Sequence, residues 1–176
     1  MQLLDDIYPQ PEDEGHIAMF KDSFKKWCLN IDIKNVLDCG CGDTMFAKSY
    51  FEERGIAYTG INIGIMDMNF LEYSDEQFDC VFSRHSLEHS PFPLLTLMEW
   101  NRVSNHLLWL ILPNPIEFGC AGKNHYSVMP PQQIEFLLDR AGWNIIWADF
   151  DEPKELRYMC EKKRSSKYDQ FLFGEK

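Results

Sequence analysis

No apolar run in this chain approaches the roughly 20 residues needed to cross a bilayer, and positive charge is scarce. Seventeen Lys and Arg against 28 Asp and Glu leave a net charge of −11. The first shortage argues against a membrane span; the second argues against nucleic acid, because a surface of this sign repels a polyanion. The local exception is EKKRSSKYDQFLFGEK (161–176), with five basic and three acidic residues, which reads as a solvated terminus. The opening MQLLDDIYPQPEDEG is acidic where a signal peptide is basic, so a cytoplasmic protein is expected. Paired zinc spacing is missing among the six Cys, and Cys39-Gly40-Cys41 is too close for an ordinary disulfide framework, which leaves reduced thiols. Repeats, low-complexity tracts and linkers are also missing. What is there is 176 residues with 45% hydrophobic content, enough for the core of one domain. Its expected parts are an N-terminal segment and packing helix (1–33), a core (34–163) and a tail (164–176).

The core alternates strands and helices. EGHIAMFKDSFKKWCLN (14–30) places Ile17, Phe20, Phe24, Trp27 and Cys28 on one helical face. KNVLDCG (34–40) is a short buried strand ending in glycine. DTMFAKSYFEER (43–54) then predicts a helix capped by Asp43 or Thr44 and stopped by Gly55. Strands follow at 57–62, 78–83 and 106–112, with a helix at 94–103 before the last. Pro130-Pro131 opens a helix that Gly142 closes, and 143–150 with 155–163 form a hairpin across Glu152-Pro153-Lys154. This order predicts an α/β, Rossmann-like, mainly parallel sheet flanked by helices and closed by a C-terminal antiparallel hairpin.

The turn Asp38-Cys39-Gly40-Cys41-Gly42 carries the chemistry. Glycines between a first strand and its helix let a ligand approach the backbone. A dinucleotide fingerprint needs a third glycine where this chain has Met45, and the carboxylate of Asp38 would face a pyrophosphate unfavourably. An acid at that place suits a ligand with cationic groups and no phosphate, such as S-adenosylmethionine, with its ammonium and sulfonium.

RHSLEHSP (84–91) contains H-x-x-E-H, which in one group of zinc peptidases places two His ligands and a Glu on one helical face. Here a strand precedes it and Ser90-Pro91 follows, leaving room for about one turn, and no third ligand has a marked position. No metal is therefore expected.

VLDCGCGDTMF (36–46), FDCVFSRHSLEHSPFPLLTLMEWNRV (78–103), LWLILPNP (108–115) and HYSVMPPQQIEFLLDRAGW (125–143) together resemble the class I S-adenosylmethionine-dependent methyltransferases over roughly residues 34–163. In that family L-E-H after the fourth strand is common and involves no metal. The resemblance implies S-adenosylmethionine as cofactor, with Asp38, Gly40 and Gly42 lining its methionine part and Ser83 and Arg84 beside it. Asn62 falls where relatives carry an acid gripping the ribose hydroxyls. Ile63 would pack on the adenine, with Asp67 and Met68 at its amine. Asn62 is a departure, because a charge-assisted bond is roughly twice as strong as a neutral one, so Asn62→Asp is expected to tighten binding.

A second departure is a shortage of chain. Four residues separate Asn62 from Asp67, whereas a parallel crossover needs about a dozen. The second helix and third strand of relatives should be truncated, leaving a reduced sheet edge that allows a monomer or a homodimer. RVSNHLLW also lacks the Lys-Pro-Gly-Gly turn of relatives. The resemblance implies in-line methyl transfer, and the acidic charge favours a small-molecule acceptor. His125, in the long connection 113–129, is the first choice for taking an acceptor proton, with His85 second. Two other readings are a non-catalytic cofactor-binding module and, further off, an H-x-x-E-H zinc hydrolase.

Overall fold

The structure, a computed structural model, describes residues 32–43, 45–62, 64–118, 124–150 and 155–163. The helix expected at 14–30, the hairpin turn at 152–154 and the tail 164–176 lie outside the described residues.

Asn35–Cys39 (β1) forms because Val36, Leu37 and Cys39 are apolar and buried on both faces of the sheet. Lys48–Glu52 (α1) follows, and it is far shorter than the helix expected over 43–54. Met45 takes a left-handed φ of 45°, and the Lys48 N–H donates to the Met45 carbonyl at 2.9 Å, so regular helix cannot start before that turn closes. The cap position is Ala47, with no side-chain capping bond, instead of Asp43 or Thr44.

Ala57–Ile61 (β2), Phe78–Arg84 (β3) and Ser104–Pro113 (β4) complete the parallel part of the sheet. Between β3 and β4 lie a 3-10 turn, Leu87–His89, and the helix Pro93–Val103 (α2). α2 runs straight into β4 at Ser104, where the chain lacks a Lys-Pro-Gly-Gly turn. Pro115–Phe118 (α3) and Pro131–Arg140 (α4) precede the hairpin of Trp143–Asp149 (β5) and Glu155–Lys162 (β6).

The described strands form one sheet in the order β2-β1-β3-β4-β6-β5, in which β6 pairs antiparallel with both β4 and β5. Central β4 is buried from Leu107 to Pro113, whereas edge strand β5 alternates between covered and open positions, as a one-sided strand must. Two apolar layers cover the faces. One joins α2 and α4 through Leu97, Trp100, Ile134 and Leu138; the other joins α1 through Tyr50 and Phe51 to Phe82 and Trp109.

No strand pairs with the outer side of β2 among the described residues, and residues 64–70 turn at Gly64 and Ile65 without helix. Among the described residues, the sheet edge is truncated as the short spacing predicts.

Candidate active site

The C-terminal ends of β1 and β3 lie side by side, and the turns that leave them touch. A Cβ placed on Gly40 (φ 90°) would fall 1.8 Å from Ser86 Oγ, so only glycine lets the loop after β3 sit against the turn after β1. The N–H groups of Gly40 and Cys41 both donate to the Ile61 carbonyl, at 2.9 and 3.0 Å, which ties the same turn to the end of β2. At Gly42 (φ 61°) a Cβ would meet nothing within 4 Å, so the turn is open on that side.

Asp38 is buried at the end of β1. Tyr58 Oη donates to its Oδ2 at 2.6 Å, and no cationic side chain pairs with it among the described residues. Burial pushes its carboxyl up to about 7, with the Tyr58 hydroxyl pulling the other way. Ser83 Oγ is also buried and has no hydrogen-bond partner among the described residues.

Asn62 is partly buried and donates through Nδ2 to Asp43 Oδ1 at 3.3 Å. The acid that stands beside Asn62 comes from the turn after β1. Spacing along β2 could not mark it. Asn62→Asp would therefore set two carboxylates together. Asp67 is exposed, and its Oδ1 accepts from both the N–H and the Nδ2 of Asn69, at 2.9 and 2.7 Å. Asn69 Oδ1 in turn accepts from Ser90 and Thr96, so this loop is laced to the one after β3. Met68 is partly buried against the core, and Ile63 lies outside the described residues.

Arg84 and His85 turn toward the hairpin. Arg84 donates through Nε and Nη2 to Glu155 Oε1, at 3.0 and 2.7 Å, and His85 Nε2 lies 3.2 Å from the same oxygen. Arg157 donates to Glu155 Oε2 through Nε and Nη2, both at 3.2 Å. Burial alone would push the Glu155 carboxyl up, but the bond to His85 and the Arg84 charge hold it well below its ordinary range. His85 has a left-handed φ of 50°, a costly backbone state for a non-glycine residue and one common at functional turns.

A second group gathers beyond Ser86. Glu88 is 2% exposed, with its Oε2 lacking any hydrogen-bond partner among the described residues, and burial raises its carboxyl to about 7. The Tyr126 and Ser127 N–H groups clamp the Glu88 carbonyl at 2.8 and 3.0 Å, which brings His125 to the 3-10 turn. The rings of His125 and His89 meet edge to face at 4.9 Å. Burial lowers the pKa of both imidazoles, and at His125 the neighbouring His89 and His85 add to it. Of the two histidines expected to take a proton, His125 belongs to this group and His85 is bonded to Glu155.

The sequence profile of a family described as "Methyltransferase domain" matches residues 23–148. The chain belongs to the class I S-adenosylmethionine-dependent methyltransferases. No curated protein matches it in sequence. Among solved structures, a SAM-dependent methyltransferase from Aquifex aeolicus superposes with a TM-score of 0.63 at 16% identity, covering 85% of this chain and 98% of that one. A sarcosine dimethylglycine methyltransferase from Galdieria sulphuraria gives 0.67 at 10% identity, covering 86% and 85%. The 4+2 cyclase SpnF gives 0.68 at 17% identity, covering 84% and 81%. At these identities the likeness is one of fold.

This methyltransferase uses S-adenosylmethionine, and its own atoms fit that cofactor. Asp38 is a buried carboxyl group with no cationic partner among the described residues, and an ammonium group would supply one. At Gly42 the open space leaves room for a ligand, and Ser83 holds a buried hydroxyl without a partner among the described residues. No helix is long and apolar enough to cross a membrane among the described residues.

Proposed function

We propose that this enzyme transfers a methyl group from S-adenosylmethionine to a small-molecule acceptor held at the C-terminal ends of β1 and β3. One observation carries the reading: the carboxylate of Asp38, without a cationic partner among the described residues, beside a glycine turn that is open at Gly42. The bound cofactor supplies an activated methyl group, so the chain's work is alignment and the handling of one proton. Asp38 receives the ammonium, Gly40 and Gly42 give room for the methionine part, and Ser83 bonds to it. Asp43, held by Asn62, accepts from the ribose hydroxyls. Met68 flanks the adenine, and Asp67 keeps Oδ2 for its amine, since Oδ1 is engaged by Asn69. Arg84, bonded to Glu155, and His85 form the wall on the hairpin side. His125 is the group set against the acceptor.

A net charge of −11 and the small-molecule acceptor named for the Galdieria relative both support an acceptor that is not a nucleic acid. Calorimetry with S-adenosylhomocysteine tests the reading. Gly42→Val and Asp38→Asn are each expected to weaken binding at least tenfold, while His125→Ala lowers turnover and leaves cofactor affinity within about twofold. Parent-like binding in both of the first two variants would put the cofactor elsewhere.

A further inference from the structure

Two side chains of the H-x-x-E-H string, Glu88 and His89, do meet a third donor, and it comes from a segment more than thirty residues later. One oxygen of Glu88 and one ring nitrogen each of His89 and His125 lie within 4.8 Å of one another. The string could not mark that third position, because His125 reaches it through the clamp of the Tyr126 and Ser127 N–H groups on the Glu88 carbonyl.

We propose that Glu88, His89 and His125 bind a divalent first-row transition-metal ion. Two imidazoles and one carboxylate form a donor set of borderline hardness that suits Zn2+ or Mn2+ and leaves coordination positions open. Three independent features support it. Glu88 is 98% buried with Oε2 lacking a partner among the described residues, an arrangement that is costly for a carboxylate in an apolar setting unless a cation joins it. His89 Nδ1 lies 3.1 Å from the Asn124 carbonyl. When its N–H donates there, the lone pair falls on Nε2, as a carbonyl behind a metal-bound histidine ordinarily arranges. The backbone clamp holds His125 beside the 3-10 turn that carries His89. Ligand atoms around a bound ion of this class stand about 3.3 Å apart, given bonds of about 2.05 Å in a tetrahedron. The three donor atoms, all within 4.8 Å of one another, stand near that spacing.

The inference rests on the methyltransferase reading for its purpose and changes one part of it: His125 becomes a metal ligand in place of a proton acceptor. Ser86, packed on Gly40, places the cluster two residues from the cofactor turn. An acceptor hydroxyl bound at an open position of the ion loses its proton to solvent water. The alkoxide oxygen then bonds to the methyl carbon, and the electrons of the broken carbon–sulfur bond stay on sulfur as a neutral thioether. The acceptor atom is accordingly oxygen.

The full chain, freed of metal with a chelator, is to be titrated by calorimetry with Zn2+, Mn2+ and Mg2+, with Mn2+ also followed by paramagnetic resonance. One equivalent of Zn2+ is expected to bind, Mn2+ more weakly and Mg2+ weakest. Glu88→Gln and His125→Ala should each lower Zn2+ affinity at least tenfold, with S-adenosylhomocysteine affinity within about twofold and the thermal midpoint retained in Glu88→Gln. No stoichiometric binding of any of the three ions, or equal Zn2+ affinity in both variants, overturns the site. Cofactor binding on the same samples separates the two readings: a chain that binds S-adenosylhomocysteine and no metal keeps its methyltransferase assignment, with His125 as proton acceptor.

Discussion

Asp38 and Glu155 are both buried carboxyl groups at the end of the sheet that carries the site, yet they sit on opposite sides of it and in opposite company. Asp38, on the β2-β1 side, has a tyrosine hydroxyl and no cation among the described residues, and burial raises it to about 7. Glu155, on the hairpin side, receives Arg84, His85 and Arg157 on its two oxygens and is held well below the ordinary range. A carboxylate whose partners are built into the chain holds strands together. One left without a cation is a cost to the folded state that a cationic ligand can remove. The hairpin side is finished as it stands, and the cofactor side is completed by what binds there.

Removing the finished partner should have the largest effect. Glu155→Ala leaves the Arg84 and Arg157 guanidinium groups facing each other without their shared carboxylate, and it is expected to cost about 3 kcal/mol or more. For a chain of this size that lowers the thermal midpoint by roughly 6–12 °C. A shift under about 2 °C by calorimetry would erase the distinction between the two sides.

The second contrast is in pH dependence. Asp38 has a folded value of about 7 against an ordinary 3.8. Between those values the unfolded chain has released the proton that the folded chain keeps, so the stability tied to Asp38 is full below about pH 4 and is lost as pH rises through about 7. Glu155 has the reverse sign: its contribution is present above about 4.5 and is lost as pH falls. Asp38→Asn, which keeps an acceptor for Tyr58, should gain on the parent as pH rises. Urea midpoints at pH 4.5 and pH 8 check this, and an equal gap at both pH values would remove the argument.

The smallest expected effect sharpens the cofactor side. Asp43→Asn should weaken S-adenosylhomocysteine binding about threefold to tenfold, the difference between a charged and a neutral acceptor. Asn62→Asp should bring no gain, because the new carboxylate stands against Asp43. Tighter binding in Asn62→Asp, measured by calorimetry, would return the ribose role to position 62.

Much of the frame was legible because it is local. The run of Val36 and Leu37 into a glycine turn, the missing residues between Asn62 and Asp67, and the alternation in 143–149 each signal structure within a few positions. The site was half legible for the complementary reason. Glu155 meets Arg84 across 71 positions, and His125 reaches Glu88 through backbone bonds made by its neighbours, so neither pairing leaves a spacing to read. The helix expected from Asp43 failed on one backbone angle at Met45, a residue whose type gives no warning of a left-handed turn.

The place of β6 has a consequence for the order in which the molecule is built. It enters the sheet between β4 and β5, although it is the last described strand to emerge from the ribosome. Until Glu155–Lys162 exists, β4 is an open apolar edge and β5 has no neighbour to join. The nascent chain can therefore assemble β1 to β4 as they appear, but it carries an unpaired, aggregation-prone strand until nearly all of the domain has been synthesised. A ribosome pausing or terminating between Asp149 and Glu155 would release that edge uncovered, and chaperone demand should peak in that short window.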